Sequence, residues 1–241
     1  MYILQIDMSS FADISQKIIA IWIIFVILVL MIITYQGAEF FKVQFGDTTI
    51  AFNPISKDSK FKPTRFFADI ALVSLNHPDM NGTENLSYNG KDPFVISGPG
   101  EYEVKDVFIK GFASKSMYGG KERINTIYSV TLENMNICFL GALSDINLSS
   151  AVKESLGDVD ILFVPIGDDG VLDAKLAEKL SVEIEPKIII PMHFGDIGAK
   201  DALKKYLKEA GEDNVKPIDK LTLKRKDLEG KASDVVVLSA I

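Results

Sequence analysis

The sequence predicts an α/β protein, a four-layer α/β/β/α sandwich preceded by an apolar N-terminal segment. Three observations carry that prediction. The chain divides into two strand-rich halves of similar make-up, each followed by helical periodicity. Its strands read as short apolar runs bounded by Gly, Asn and Pro, as expected of buried sheets. One tight hairpin, Phe40 to Phe45 returning as Thr48 to Phe52 through Gly46-Asp47, marks the start of the first sheet. Two such sheets bury their apolar faces most simply by packing on each other, with helices outside.

The elements follow in order. The text from Met31 onward, MIITYQGAEFFKV, reads as an opening strand and the entry to the hairpin, which Asn53-Pro54 ends. Lys57 to Lys62 is a polar loop. Asp69 to Ser74 is a short buried strand, and Leu75 to Asn89, with Pro78, Gly82 and several Asn, is a loop. Strands are expected at Phe94 to Ile96, Tyr102 to Val104, Val107 to Phe112, Thr126 to Leu132 and Asn136 to Leu140. A helix is expected over Asp145 to Ser155, then a buried strand over Asp160 to Val164. Leu172, Leu176, Leu180 and Ile184 recur at helical spacing. Lys187 to Pro191 is a strand with His193 at its end. Ala199 to Ala210 is a helix stopped by Gly211, and Val235 to Leu238 is the closing strand.

Composition narrows the function classes. The chain has 241 residues, 47% hydrophobic and 24% charged, with a net charge of -7. No Lys/Arg-rich run is present to track a phosphate backbone, so nucleic acid is not an expected partner. A single cysteine, Cys138, excludes an internal disulfide and any Cys-rich metal knuckle. It lies within an expected strand and reads as a buried structural thiol rather than a nucleophile. Only two histidines occur, His77 and His193. A dinuclear zinc hydrolase draws on roughly four or more imidazoles, because neutral nitrogen ligands suit zinc and keep its bound water acidic. This chain cannot supply them.

The N-terminus admits two readings. Ile18 to Ile33 is an unbroken apolar run, and no charge falls between Lys17 and Glu39. As a helix it approaches the ~20 residues that span a bilayer, a single-pass anchor. If a strand begins at Met31, the helix keeps only Ile18 to Leu30, ~20 Å, which is short for a membrane. Residues 1–30 are then an apolar extension upstream of a domain over 31–241, and the expected location is the cytoplasm. The second reading is favoured.

The chain from Met31 onward resembles the metallo-β-lactamase superfamily, and within it the short, L-ascorbate-6-phosphate-lactonase-like branch of zinc-dependent hydrolases. The resemblance covers about 210 residues and rests on ordered segments. These are ITYQGAEFFKV, TTIAFNP, ADIALVSLNHPDMNG, ISGPGEYEVKDVFIKG, NTIYSVTLENMNICFLGAL, LGDVDILFVPIGDDGVLDA and IEPKIIIPMHF. It implies the four-layer fold and a metal loop of the form His-x-His-x-Asp-His after a buried strand. Here that loop is Leu75-Asn76-His77-Pro78-Asp79-Met80. His77 and Asp79 match. Leu75 and Met80 stand where histidines belong, and neither side chain replaces an imidazole at a hard zinc-hydroxide site. The family's bridging Gly-Asp is Gly141-Ala142, so Ala142 is a third former ligand position. Ala113 to Ser116 carries no histidine where the family places one. The early Gly-His is Gly37-Ala38, and the Asp-Pro is Asn53-Pro54. His193 matches the family's late histidine.

The resemblance therefore leaves His77, Asp79 and His193 as residual metal ligands, with Asp79 the catalytic base if the protein is active. Each has a plainer reading. His77 and Asp79 fit a polar turn, and His193 a buried histidine held by backbone. Asp145, Asp168 and Asp169 could lend oxygens, but a carboxylate-rich site favours Mg²⁺ or Mn²⁺ over zinc. Ser97-Gly98-Pro99-Gly100 reads as a tight turn, since no Lys-Ser/Thr and helix follow it. Gly167 to Gly170 reads as a solvated loop that could line the cleft.

The expected function is thus a hydrolase fold without dinuclear chemistry, binding a small molecule or a protein partner. No cofactor is expected. The alternative is a hydrolase of ester, lactone or phosphoester bonds with one divalent metal, zinc or manganese. A membrane-tethered interaction module requires the anchor.

Overall fold

The computed structural model describes residues 30–212 and 214–241. Nearly all of the N-terminal extension therefore lies outside the described residues, and no helix among those described is long and apolar enough to cross a membrane. The apolar run is nonetheless divided. Met31, Ile32 and Ile33 belong to β1 (Met31–Tyr35), whose burial alternates with period two. Met31 pairs with Phe45 on one side and Leu223 on the other. The strand ties are already complete at Met31. A chain begun at that residue should therefore be soluble and unfold in one cooperative thermal transition, as calorimetry would show. Aggregation of that chain would refute the expectation.

The first sheet continues with β2 (Phe41–Phe45), β3 (Thr48–Phe52), β4 (Ile70–Leu72) and β5 (Phe94–Ile96), closed at its other edge by β12 (Leu221–Leu223). The second holds β6 (Gly100–Val104), β7 (Val107–Ser116), β8 (Arg123–Leu132), β9 (Met135–Phe139), β10 (Ile161–Pro165), β11 (Ile188–Met192) and β13 (Asp234–Val235). Its order is β13-β11-β10-β9-β8-β7-β6, against β12-β1-β2-β3-β4-β5 in the first. Both sheets are mixed. β3 to β5 run parallel, as do β9 to β11 and β13. The β2–β3 hairpin turns through Gly46 at φ 57°, the positive φ that a two-residue loop favours.

Period-two alternation builds the layers. Ile137, Phe139, Ile161, Phe163 and Ile190 face the first sheet and pack with Val43, Ile50, Phe52 and Ile70. Cys138, Leu162, Val164 and Ile189 face outward, against α1 (Ser150–Leu156), α2 (Ala174–Ile184) and α3 (Ala202–Glu209). Burying each large side chain in the inter-sheet core contributes about 1.5–3 kcal/mol. Cys138 is fully buried, and burial pushes its thiol up to about 12, as a structural role requires. The outer face of the first sheet is covered by a third cluster, in which Phe40, Ala51 and Ala71 meet Leu75, Met80 and Leu86 of the loops that follow β4.

Several boundaries differ from the sequence expectation for physical reasons. The helix expected from Asp145 begins at Ser150, because the Asp145 carboxylate accepts from the Asn147 backbone and side chain in a local turn. Ser149 then caps α1 through Val152 N. The helix expected from Leu172 begins at Ala174, because Asp173 caps Leu176 N at 2.7 Å. The helix expected from Ala199 starts at Ala202. β7 runs four residues further than expected, to Ser116, and β8 starts at Arg123. They form a long ribbon that carries the 117–122 turn to the rim. The closing strand spans only Asp234–Val235, with Leu238 making an isolated bridge to Ile218, and β12 had no clear apolar signature in the sequence.

A candidate site at the rim of the sandwich

The C-terminal ends of β3, β4, β9, β10 and β11 converge on one rim, where ligands gather in open α/β sheets. Backbone bonds knit it together. Asn53 N donates to Leu72 O, Thr126 N to Ser74 O, Ile166 N to Met192 O and His193 N to Ala38 O. Side chains reinforce the weave. Asn53 Nδ2 donates to Ser74 Oγ, and Ser74 N to Asn53 Oδ1, each at 2.8 Å. Asn125 Nδ2 donates to Leu140 O, while its Oδ1 accepts from Ala142 N at 3.0 Å. Gly141 is required here: a Cβ would lie 2.4 Å from Ser74 Oγ and 2.6 Å from Asn125 Oδ1.

All three residues expected as residual ligands reach this rim. His77 stands in the loop after β4 with its Nδ1 3.4 Å from Asp79 Oδ2, and the same nitrogen accepts from Asp79 N. Asp79 is 4% exposed. One of its carboxylate oxygens accepts from Ser59 Oγ, and the other accepts from Tyr118 Oη at 2.6 Å. His193 is fully buried with φ 62°, a left-handed conformation held by its bond to Ala38. Its Nδ1 lies 2.6 Å from Glu39 Oε1, and Glu39 Oε2 accepts from Asn53 Nδ2 at 2.8 Å. With both carboxylate oxygens acting as acceptors, the imidazole proton sits on Nδ1. The other ring nitrogen, Nε2, is buried and without a partner.

Tyr118 packs against both histidines. Its ring centroid is 4.9 Å from that of His77 and 5.1 Å from that of His193, edge-on to both. It is 4% exposed and packs in one apolar cluster with Leu75, Met80 and Ala142, the three positions expected to be former ligands. Burial, with help from the bond to Asp79 and the charges of Asp79, Glu39 and Asp169, raises its phenol far above the ordinary value. Tyr118 is therefore a neutral donor and not a base. Burial lowers the His77 pKa, with Arg123 and Lys60 adding to the effect and Asp79 opposing it.

Sequence reasoning missed Glu39, Ser59 and Tyr118 as members of this cluster. Glu39 had one available signal, a carboxylate directly after Gly37-Ala38 in an otherwise apolar stretch. Tyr118 and Ser59 had none beyond their place in loops. The Gly167 to Gly170 loop does reach the cleft. Gly167 passes so close to His193 that a Cβ would fall 2.4 Å from its Cδ2, and Asp169 lines the opening. That opening is a cavity of about 440 Å³ lined by His77, Asp79 and Tyr118, and by Lys60.

The donor set does not fit a metal in this arrangement. Among the described residues no group of three or more His, Cys, Asp or Glu side chains converges as a metal shell does. The Tyr118 ring packs against both His77 and His193, and both Asp79 oxygens already accept hydrogen bonds.

Two facing mixed sheets with helices outside, and a histidine- and aspartate-bearing rim, define a protein of the metallo-β-lactamase fold. The chain belongs to the beta-lactamase superfamily domain family, whose model matches residues 32–193. A metal-dependent hydrolase of Listeria welshimeri is 27% identical over 200 residues, covering 68% of this chain and 85% of its own length. A Pyrococcus furiosus protein is 37% identical over 59 residues, 24% of this chain and 28% of that one. Among solved structures, a Thermotoga maritima protein described as a candidate Zn-dependent hydrolase of the metallo-β-lactamase superfamily superposes with a TM-score of 0.67. It is 26% identical and covers 86% of this chain and 98% of that one.

Proposed function

We propose that this chain is a catalytically degenerate member of its family, a binding protein for a small molecule or partner rather than a dinuclear hydrolase. One observation carries the reading: the Tyr118 ring packs against both His77 and His193, and its hydroxyl occupies an oxygen of Asp79. A phenol there satisfies the carboxylate as a cation otherwise would. Leu75, Met80 and Ala142 complete an apolar packing around it, consistent with a centre that has been filled rather than merely emptied.

A second reading has its own support. The unpartnered Nε2 of His193, oriented by Glu39, has the carboxylate–histidine arrangement of a metal ligand. A single divalent ion using His193 with His77 and Asp79 would require Tyr118 to swing out. The reaction class would then be hydrolysis of an ester, lactone or phosphoester bond.

Elemental analysis after dialysis, followed by zinc titration of the wild type and His193→Ala, decides between them. Little or no bound metal and no esterase or phosphodiesterase turnover are expected. About one zinc per chain, lost in His193→Ala, would promote the mono-metal hydrolase. About two, the complement of a dinuclear centre, would overturn the degenerate reading.

A further inference from the structure

The chain contains two Asn-Gly pairs, Asn81-Gly82 and Asn89-Gly90. Such pairs are chemically labile, because a glycine leaves its backbone nitrogen unshielded and free to reach the preceding side-chain carbonyl. The fold treats the two in opposite ways. Gly82 is buried, and its N–H donates to Pro54 O at 2.7 Å. A Cβ there would fall 2.2 Å from Ile55 C, so this backbone has no room to turn. The Asn81 side chain is held as well, its Nδ2 donating to Asn76 Oδ1 at 2.8 Å. Asn89 and Gly90 lie instead in a run of exposed residues from Ser87 to Asp92. They are the central residues of a tight turn in which Tyr88 N donates to Lys91 O and Lys91 N to Tyr88 O, each at 3.0 Å. Asn89 has φ 50° and Gly90 φ 73°, the paired positive values for which Asn-Gly is the preferred filling of a two-residue turn. Among the described residues no acceptor meets the Gly90 N–H, and a Cβ on Gly90 would meet nothing within 4 Å. The turn therefore selects the labile pair and leaves it open to water.

We propose that Asn89 is a site of spontaneous modification, where asparagine converts to aspartate and isoaspartate while Asn81 is spared. The Gly90 nitrogen gives up its proton and attacks Asn89 Cγ. A new C–N bond closes a cyclic imide, and the side-chain nitrogen leaves as ammonia. Water then opens the ring. Attack at the side-chain carbonyl yields aspartate, and attack at the main-chain carbonyl yields isoaspartate, with one extra methylene in the backbone. Other asparagines lack a free nucleophile. Asn53 precedes Pro54, which has no N–H, and the N–H groups after Asn76, Asn85 and Asn125 donate to Leu75 O, Thr83 O and Ser74 O. Either product places a new negative charge near Asp92, which accepts from Ser87 Oγ at 2.6 Å across the same turn. Isoaspartate also lengthens a turn whose two cross-bonds fix its span. That turn feeds β5, an edge strand with Phe94 and Val95 exposed. No residue of the rim cluster takes part.

The test is incubation of the full chain in mildly alkaline buffer made with heavy-oxygen water, followed by peptide mapping by mass spectrometry. The peptide holding Asn89 should lose its side-chain amide and take up a solvent oxygen. Its rate should exceed that at Asn81 by about tenfold or more, since Asn81 reacts only after a local opening that frees Gly82 N–H from Pro54. In urea, above the unfolding transition, the two sites should react at similar rates, because each is followed by glycine and neither is then held. Asn89→Gln, whose longer side chain closes the ring poorly, should abolish the conversion at this position and leave the slow rate at Asn81 as it was. Equal rates at the two sites in the folded chain would overturn the proposal. So would an Asn89 about tenfold slower in the folded chain than in the unfolded one, since the turn would then be what protects it.

Discussion

Tyr118→His should convert a protein that holds little zinc into one that holds about one ion per chain. The substitution removes the ring packed against both His77 and His193 and sets a third imidazole beside them. It also frees one Asp79 oxygen from the phenol. Three protein ligands with an open fourth position are the ordinary composition of a catalytic zinc site. His193 is already oriented for the task by Glu39, so its tautomer need not change. The clearest readout is thermodynamic. At zinc a hundredfold above Kd, the variant should gain about 2.7 kcal/mol of unfolding free energy, while the wild type gains none. Without zinc the variant should be the weaker protein, since it loses aromatic packing in a buried cluster. Tyr118→Phe is the control. It keeps the ring, should remain zinc-free, and should cost about 1–3 kcal/mol by leaving a buried Asp79 oxygen without its donor. If Tyr118→His binds no more zinc than the wild type, Tyr118 is not what keeps the site from holding metal.

The fold was more legible in the sequence than the site, and for a physical reason. Strand alternation is written in one-dimensional spacing, so the inter-sheet faces of β9 and β10 could be read directly from Asn136 to Leu140 and Asp160 to Val164. The two histidines were legible because they are scarce, and both do reach the rim. The aromatic ring that packs against both was not. It depends on how far the β7–β8 ribbon extends, and that ribbon is longer than the apolar pattern indicated, because Ser114, Lys115 and Ser116 pair although they are not hydrophobic. The extension is what delivers Tyr118 to both rings. Glu39 was hidden differently. A lone acid after a turn reads as solvated, yet this one is fully buried because His193, 154 residues later in the chain, and Asn53 enclose its carboxylate. Asn53 itself was noticed only as the replacement for an aspartate, and its part in holding Glu39 required the fold.

Glu39→Ala should be among the most destabilising single substitutions in the protein, at about 2–6 kcal/mol, since two buried donors each lose their acceptor at about 1–3 kcal/mol. Glu39 and His193 are both fully buried, and their contact at 2.6 Å has no access to water. Removing the carboxylate leaves the His193 Nδ1 proton and one Asn53 amide hydrogen unanswered in the core. The loss also releases the constraint on His193, whose left-handed backbone is tied to Ala38, next to Glu39 in the chain. Glu39→Gln separates charge from hydrogen bonding. Its carbonyl oxygen can still accept from His193 Nδ1, but its amide would meet the Asn53 amide, a donor against a donor, unless Asn53 turns over and gives up Ser74. An intermediate cost of about 1–3 kcal/mol is therefore expected. Urea unfolding of the wild type and the two variants measures all of this, provided the slope is unchanged. A cost below about 1 kcal/mol for Glu39→Ala would show that water or a neighbouring group replaces the carboxylate with ease. The buried pair would then be a remnant without structural weight, and the orientation assigned to His193 would fall with it.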